Sequence, residues 1–272
     1  MNTTTVTAEL PRAGRRRWSF LRLASAEFLK LRKRRGLVVS AVVLTVAPMV
    51  VAYVVLALLH ANNPAKYGPP GSVENFSGSM EVLTQLSAVA AILVGATLGT
   101  GDLGAGVFRE LVSTGRSRLA LFAARVPAGL ALLGPLVGGA FAITAVAATL
   151  LAGSSKAPSA SLLVHSAGWL GLVAAASFAL ALGVASLLGS RGTSIGILLG
   201  WQLVAMPLLV QFGALGSLRE TLAEAATQRI APSALVGGVA VPMSLETAVV
   251  VLFAWIAVPL AAGAWRTCTR DA

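Results

Sequence analysis

The sequence predicts an all-α integral membrane fold. Six transmembrane helices cross the bilayer with both termini in the cytoplasm, an amphipathic interfacial helix precedes them, and a structured outer insertion separates spans five and six. Three observations predict this. The 272 residues are 56% hydrophobic and 11% charged, with a mean hydropathy of +0.82, whereas soluble domains carry about 25% charged residues. Six apolar stretches reach the roughly 20 residues that a helix needs to cross about 30 Å of hydrocarbon. Finally, the basic residues fall very unevenly on the two sides of those stretches.

The spans are expected near 37–59, 82–100, 126–152, 162–188, 194–213 and 245–265. Their apolar runs are continuous rather than alternating, which excludes the dyad pattern of a β-barrel. Domain organisation follows from them: a cytoplasmic arm (1–36), the six-span domain (37–265) and a cytoplasmic tail (266–272). Of the 21 basic residues, 17 fall on the side of the two termini and 4 on the other, namely Lys66, Lys156, Arg219 and Arg229. Because positive loops stay cytoplasmic, both termini are expected inside. The formal charge of +11 is thereby explained by topology, and no nucleic-acid partner is expected. The first apolar run is too long for the h-region of a signal peptide. The single cysteine, Cys268, offers neither an intrachain disulfide nor a cysteine metal site.

Before span one, residues 18–35 have a helical period, with Trp18, Leu21, Ser25 and Phe28 on one stripe and Arg22, Lys30 and Lys33 away from it. Such a helix can lie among anionic headgroups, with membrane lipid as its partner; a plain basic stop before the span is the alternative. The first outer loop, 60–81, is rich in Asn, Pro and Gly and reads as irregular. The loops at 153–161 and 189–193 are short enough for tight hairpins. The fifth loop opens with SLRETLAEAATQRIAP, a short helix with Leu218, Leu222 and Ala225 on one side, stopped near Pro232. The following 234–243 is too short to span and suits re-entrant or interfacial structure. Gly192, Gly196 and Gly200, and likewise Gly134 and Gly138, stand four apart. These are ridges for close helix packing, within the chain or against another subunit.

Several functions are excluded by what the sequence lacks. All ten acidic residues lie in loops, flanks or span ends, so no span centre carries the carboxylate on which ion-coupled carriers depend. His60 and His165 have no metal-ligand spacing, and no nucleophile–base or paired-carboxylate constellation can be assembled in the spans. GTGDLGAG lacks the lysine of a phosphate-binding loop. The chain is therefore expected to be no enzyme and to bind no cofactor itself. The uncharged span lining suits hydrophobic cargo.

The second cytoplasmic loop, GDLGAGVFRELVSTGRSRLALFAARV, is amphipathic and carries both signs of charge. Phe108, Leu111 and Val112 can form an apolar face, with Arg109, Glu110 and Arg116 as a polar rim, for the groove of a soluble partner; an ordinary solvated loop is the alternative. Here the sequence resembles the type-2 ABC transporter permease family. In that family the segment after span two runs Glu, three residues, Gly-Thr, Leu-x-x-Leu-Leu, Thr-Pro, Ser-Arg and a terminal Lys. At the matching positions stand Asp102, Gly106, Val107, Phe108, Leu111, Val112, Thr114, Gly115, Ser117, Arg118 and Arg125. Asp replaces Glu, Val replaces Thr, Gly replaces Pro and Arg replaces Lys. The pair Glu27-x-x-Lys30 is similar to the family's lead-in helix.

The resemblance implies a dimer of six-span subunits, made with a second copy or a sister permease, above two separate ATPase subunits that hold ATP and Mg. The loop at 102–118 would be the coupling helix to those ATPases. The chain would then be the permease subunit of a bacterial inner-membrane exporter for a hydrophobic or amphipathic drug, peptide or lipid. A non-transporting membrane scaffold or immunity protein is the alternative, and a gradient-driven carrier a weaker one.

Overall fold

In the computed structural model the described residues are 12–104, 117–235 and 241–269, with side chains described over 20–102, 117–235 and 241–269. Within them every regular element is helical. Helix α1 (Arg12–Lys33) is joined through Arg34 to α2 (Arg35–Asn62), and α3 spans Val73–Gly104. Then come α4 (Arg118–Leu150), α5 (Ala160–Leu188) and α6 (Arg191–Gln211). A 3-10 segment (Gly213–Thr221), α7 (Ala223–Ile230) and α8 (Leu245–Thr269) complete the chain. Six of these, α2–α6 and α8, are long and apolar enough to cross a membrane. Their outward faces are apolar as well, as Val39, Val43 and Val54 on α2 and Val250, Phe253 and Val258 on α8 show. Water would not tolerate so large a continuous apolar surface; lipid does. This is a multi-pass membrane protein.

Local sequence sets the helix ends. The Ser117 and Ser159 hydroxyls accept from Ala120 N–H and Leu162 N–H, capping α4 and α5. Gly189, at φ +71°, ends α5 in the left-handed region, and α6 restarts two residues later as a tight hairpin. Inside α6 the backbone widens to a π turn over Trp201–Ala205, where Met206 N–H donates to Trp201 C=O, five residues back. Pro207 follows directly, and it can neither donate nor sit flush beneath the preceding turn. The bulge absorbs that misfit.

Four expectations are corrected. The loop 60–81 is not irregular throughout, because α3 begins at Val73. Ser72 caps it through Asn75 N–H, and Phe76, Met80 and Leu83, spaced four and three apart, bury that extra turn. The inner stripe of α1 is Phe20, Leu23, Ala24, Glu27, Phe28 and Leu31, while Leu21 and Ser25 are exposed. The helix is thus rotated by about one residue, roughly 100°, from the expected stripe, because the Glu27 side is drawn inward by the ionic contacts described below. The insertion between α6 and α8 is broken into a 3-10 segment, kinked at Gly216, and a separate α7; Leu222 and Ala225 are buried but Leu218 is exposed. Lastly, the helix of span six does not end at 265, since α8 continues to Thr269. Part of 234–243 lies outside the described residues.

Helices α3 and α5 form the centre, buried over most of their length, whereas α2, α6 and α8 are buried over less than a quarter. The centre closes through small residues. A Cβ on Gly95 would stand 2.7 Å from Phe178 C=O, and one on Gly99 would stand 2.9 Å from Leu182 C=O. On the other side of α5, Gly183 meets the Pro259 backbone of α8, and a Cβ on Gly263 would stand 2.8 Å from Gly183 C=O. In lipid, where apolar burial drives nothing between helices, such backbone approach supplies the packing energy. By contrast Gly192, Gly196 and Gly200 face outward, with no described residue within 4 Å of an added Cβ. They lie two residues out of phase with Ser194 and Leu198, the buried side of α6. Gly134 and Gly138 are likewise open.

Gly95→Leu should therefore separate α3 from α5 and cost at least about 1–3 kcal/mol, read as a lower melting temperature in detergent. Gly196→Leu should leave that melting temperature unchanged. Equal effects of the two substitutions would refute the assignment of the central crossing.

Candidate functional site

At the end of the bundle that carries α1, four ionised side chains from three helices converge. Asp102, on the last turns of α3, accepts from Arg125 Nη2 of α4 at 2.8 Å and from Lys30 Nζ of α1 at 3.1 Å. Lys30 also pairs with Glu27 at 2.6 Å, one turn back on its own helix. Glu27 and Asp102 are each 7% exposed and Arg125 2%, so these three are buried, while the Lys30 side chain is 45% exposed and closes the node towards solvent. The Arg125 guanidinium also reaches Gly99 C=O at 3.5 Å, and the Ser186 hydroxyl of α5 lies 3.4 Å from the same oxygen. Arg34 Nη2 approaches Gly101. The node thus holds α1 against α3 and α4, at both stems of the segment 105–116.

Burial lowers the Lys30 pKa, but its hydrogen bond to Glu27 and the charges of Asp102 and Glu27 outweigh that and raise it above 10.5. A base whose pKa rises on folding stabilises the fold below its unfolded value and loses that contribution as pH climbs through the folded one. The Lys30 contribution is therefore whole at neutral pH and fades only above about 10.5.

Of the residues proposed for the coupling loop, Gly106, Phe108, Arg109, Glu110, Leu111 and Arg116 lie outside the described residues. Asp102 and Arg118 are described. Asp102 turns into the bundle rather than outward, and Arg118 donates to Cys268 C=O of α8 at 3.1 Å. Of the interfacial-helix residues, Glu27 and Lys30 join the node, Phe28 packs against the buried cluster around Leu31, Phe122 and Leu182, and Leu21 is exposed. The Trp18 side chain is outside the described ones.

Towards the other end, a cavity of about 460 Å³ opens between α3, α5, α6 and α7. Its polar lining includes Glu81, Thr84 and Gln85 from α3, Gln202 and Gln211 from α6, and Glu224, Thr227 and Gln228 from α7. Trp169, Val173 and Val210 supply apolar wall. Gln202 sits in the π turn, whose extra residue reorients the side chains there. Two indoles hold the insertion in place: Trp169 Nε1–H donates to Thr227 C=O and Trp255 Nε1–H to Thr221 C=O, both at 2.9 Å. Burial raises the Glu224 pKa above the ordinary 4.5, and the hydrogen bond from Gln228 opposes it.

The lining expected from the spans alone is uncharged, and this cavity is not. Glu224 reaches it from a segment between spans, so a search of span centres for carboxylates passes over it. Gln85 and Gln202 are visible in the sequence as amides inside otherwise apolar stretches, a costly placement that marks packing or function. Among the described residues no group of three or more His, Cys, Asp or Glu side chains could hold a metal ion. A scan against protein-family models finds no match for the chain, and a search of curated proteins finds none either.

Replacing Asp102 by Leu, or Arg125 by Met, should each cost about 3–5 kcal/mol, because the remaining charge is stranded in the bundle. The double replacement should cost clearly less than the sum, as measured by melting temperature in detergent. Additive losses would mean that the two side chains are not a coupled pair.

Proposed function

We propose that the chain is the transmembrane subunit of an ABC transporter in a bacterial cytoplasmic membrane, exporting a hydrophobic or amphipathic compound. A separate ATPase polypeptide supplies the energy, and a second permease, identical or sister, completes the dimer. The observation that carries this reading is the node. Asp102 and Arg125 occupy the first and last positions of the segment that resembles the permease motif, and Glu27 and Lys30 are the pair that resembles the lead-in helix. All four meet at one point, in contact distances of 2.6–3.1 Å.

A push on the segment 105–116 would be delivered through its two stems to α3 and α4, and through Lys30 to α1. Arg118 adds a link from the start of α4 to the end of α8. The uneven basic charge favours the node end as the cytoplasmic one, where an ATPase could reach it. The outward ridge of Gly192, Gly196 and Gly200 is open for a second subunit, since no described residue covers it.

Purification of the tagged protein from its native membrane should bring down an ATP-hydrolysing polypeptide. The charge reversal Arg109→Glu with Glu110→Arg should remove that partner without altering the melting temperature. A protein that purifies alone, and whose export activity survives the reversal, would contradict the reading and leave a membrane scaffold as the better one.

A further inference from the structure

The cavity beside α7 has a chemistry more specific than a general hydrophobic passage. Its lining is rich in acceptors and poor in cations. Glu81 and Glu224 contribute carboxylates, and among the described residues no Lys, Arg or His lines it. Glu224 makes no ion pair among the described residues; its hydrogen bond is with Gln228 Nε2 at 3.2 Å, on its own helix. A carboxylate can only accept, so that bond turns the Gln228 amide nitrogen towards Glu224 and its oxygen away. Gln228 Oε1 is buried and has no hydrogen-bond partner among the described residues. A carboxylate with no ion pair, in an acceptor-rich lining without cations, calls for a donor that carries positive charge.

The walls decide what kind of cation. The volume of about 460 Å³ is in the range of organic-ligand sites. A smaller cavity of about 40 Å³ shares Val173, Gln202, Glu224 and Thr227 with it and continues to Trp255. Glu224 therefore stands on a wall common to both. Trp169 and Val173 offer an apolar and aromatic surface next to the carboxylates, suited to the body of a weakly hydrated cation. A bare metal ion would find too few hard ligands, since no cluster of three is present among the described residues.

We propose that this cavity binds an organic ammonium ion, its N–H donors on Glu224 and its apolar body against Trp169 and Val173. This deepens the transporter reading by naming a substrate class, yet binding requires no ATPase, so the two can fail separately. The ammonium can belong to a free amphipathic amine or to the headgroup of an aminophospholipid.

The test uses the full chain in phosphatidylcholine nanodiscs and titrates dansylcadaverine, a primary amine on an apolar fluorophore, by its emission. Glu224→Gln should weaken binding at least ten-fold, and Glu81→Gln several-fold. N-acetylated dansylcadaverine, without charge, should bind as weakly to the unaltered protein as the amine does to Glu224→Gln. The amide oxygen that Glu224→Gln introduces can still accept the Gln228 hydrogen bond, so the fold should hold. Should the melting temperature of that variant fall, Glu81→Gln at an exposed position gives the second reading. Weaker apparent binding in discs containing phosphatidylethanolamine would assign the site to the lipid headgroup, and equal binding to a free amine. Unchanged affinity in both variants, or an acetylated probe that binds as tightly as the amine, would overturn the proposal.

Discussion

Asp102 and Arg125 lie 2.8 Å apart in a setting where neither can be left alone. Stranding either charge costs several kcal/mol, whereas attraction at close range offsets much of the loss when both are present. The pair therefore fixes where α3 ends and α4 begins relative to one another, across a connecting segment of which residues 105–116 are not described. Lys30 extends the same constraint to a helix outside the spans. Glu27, buried beside Asp102, is tolerated only because Lys30 bridges them. One cation between two carboxylates thus orients the whole of α1, which explains why its inner stripe differs from the one its apolar residues alone suggest.

A second principle governs the rest of the bundle. At the crossings of α3, α5 and α8 the closest approaches are made by backbone, at Gly95, Gly99, Gly183 and Gly263, with Leu98, Phe178 and Leu182 packed around them. Such crossings are stiff, because a rigid backbone has no rotamers to exchange. The side of the molecule built from α6, α7 and the 3-10 segment is looser in design. There a π turn, a kink at Gly216 and two indole-to-carbonyl hydrogen bonds surround the cavity. A rigid centre with an adaptable flank is an arrangement in which a ligand can be admitted without disturbing the core crossing.

Much of the architecture was legible in the sequence because hydrocarbon imposes so simple a rule: twenty apolar residues in a row form a spanning helix. All six such helices were found, with ends displaced by up to nine residues where polar or capping residues extended the helix beyond the apolar run. Ser72 with Phe76 did so for α3, and the continuation to Thr269 did so for α8. The site was less legible. Glu27, Lys30, Asp102 and Arg125 each stand at a motif position, but spacings of 72 and 23 residues carry no indication that they meet. Glycine spacing misled in another way, since a four-residue period marks a smooth face without saying what covers it. The open ridge on α6 and the packed glycines of α3 and α5 look alike in sequence. Glu224 was hidden because its helix is short and its depth depends on how α7 folds back between the spans.

The placement of α1 rests on the bridge from Lys30 to Asp102, and amide hydrogen exchange of Lys30→Met tests it most directly. This substitution keeps the aliphatic stem and leaves the Asp102–Arg125 pair intact, but sets Glu27 unpaired against Asp102. Amides of residues 20–33 should then exchange markedly faster, while those of 76–98 and 126–148 keep their protection. If α1 stays as protected as before, its position is set by apolar packing through Phe28 and Leu31, and the ionic node does not orient it.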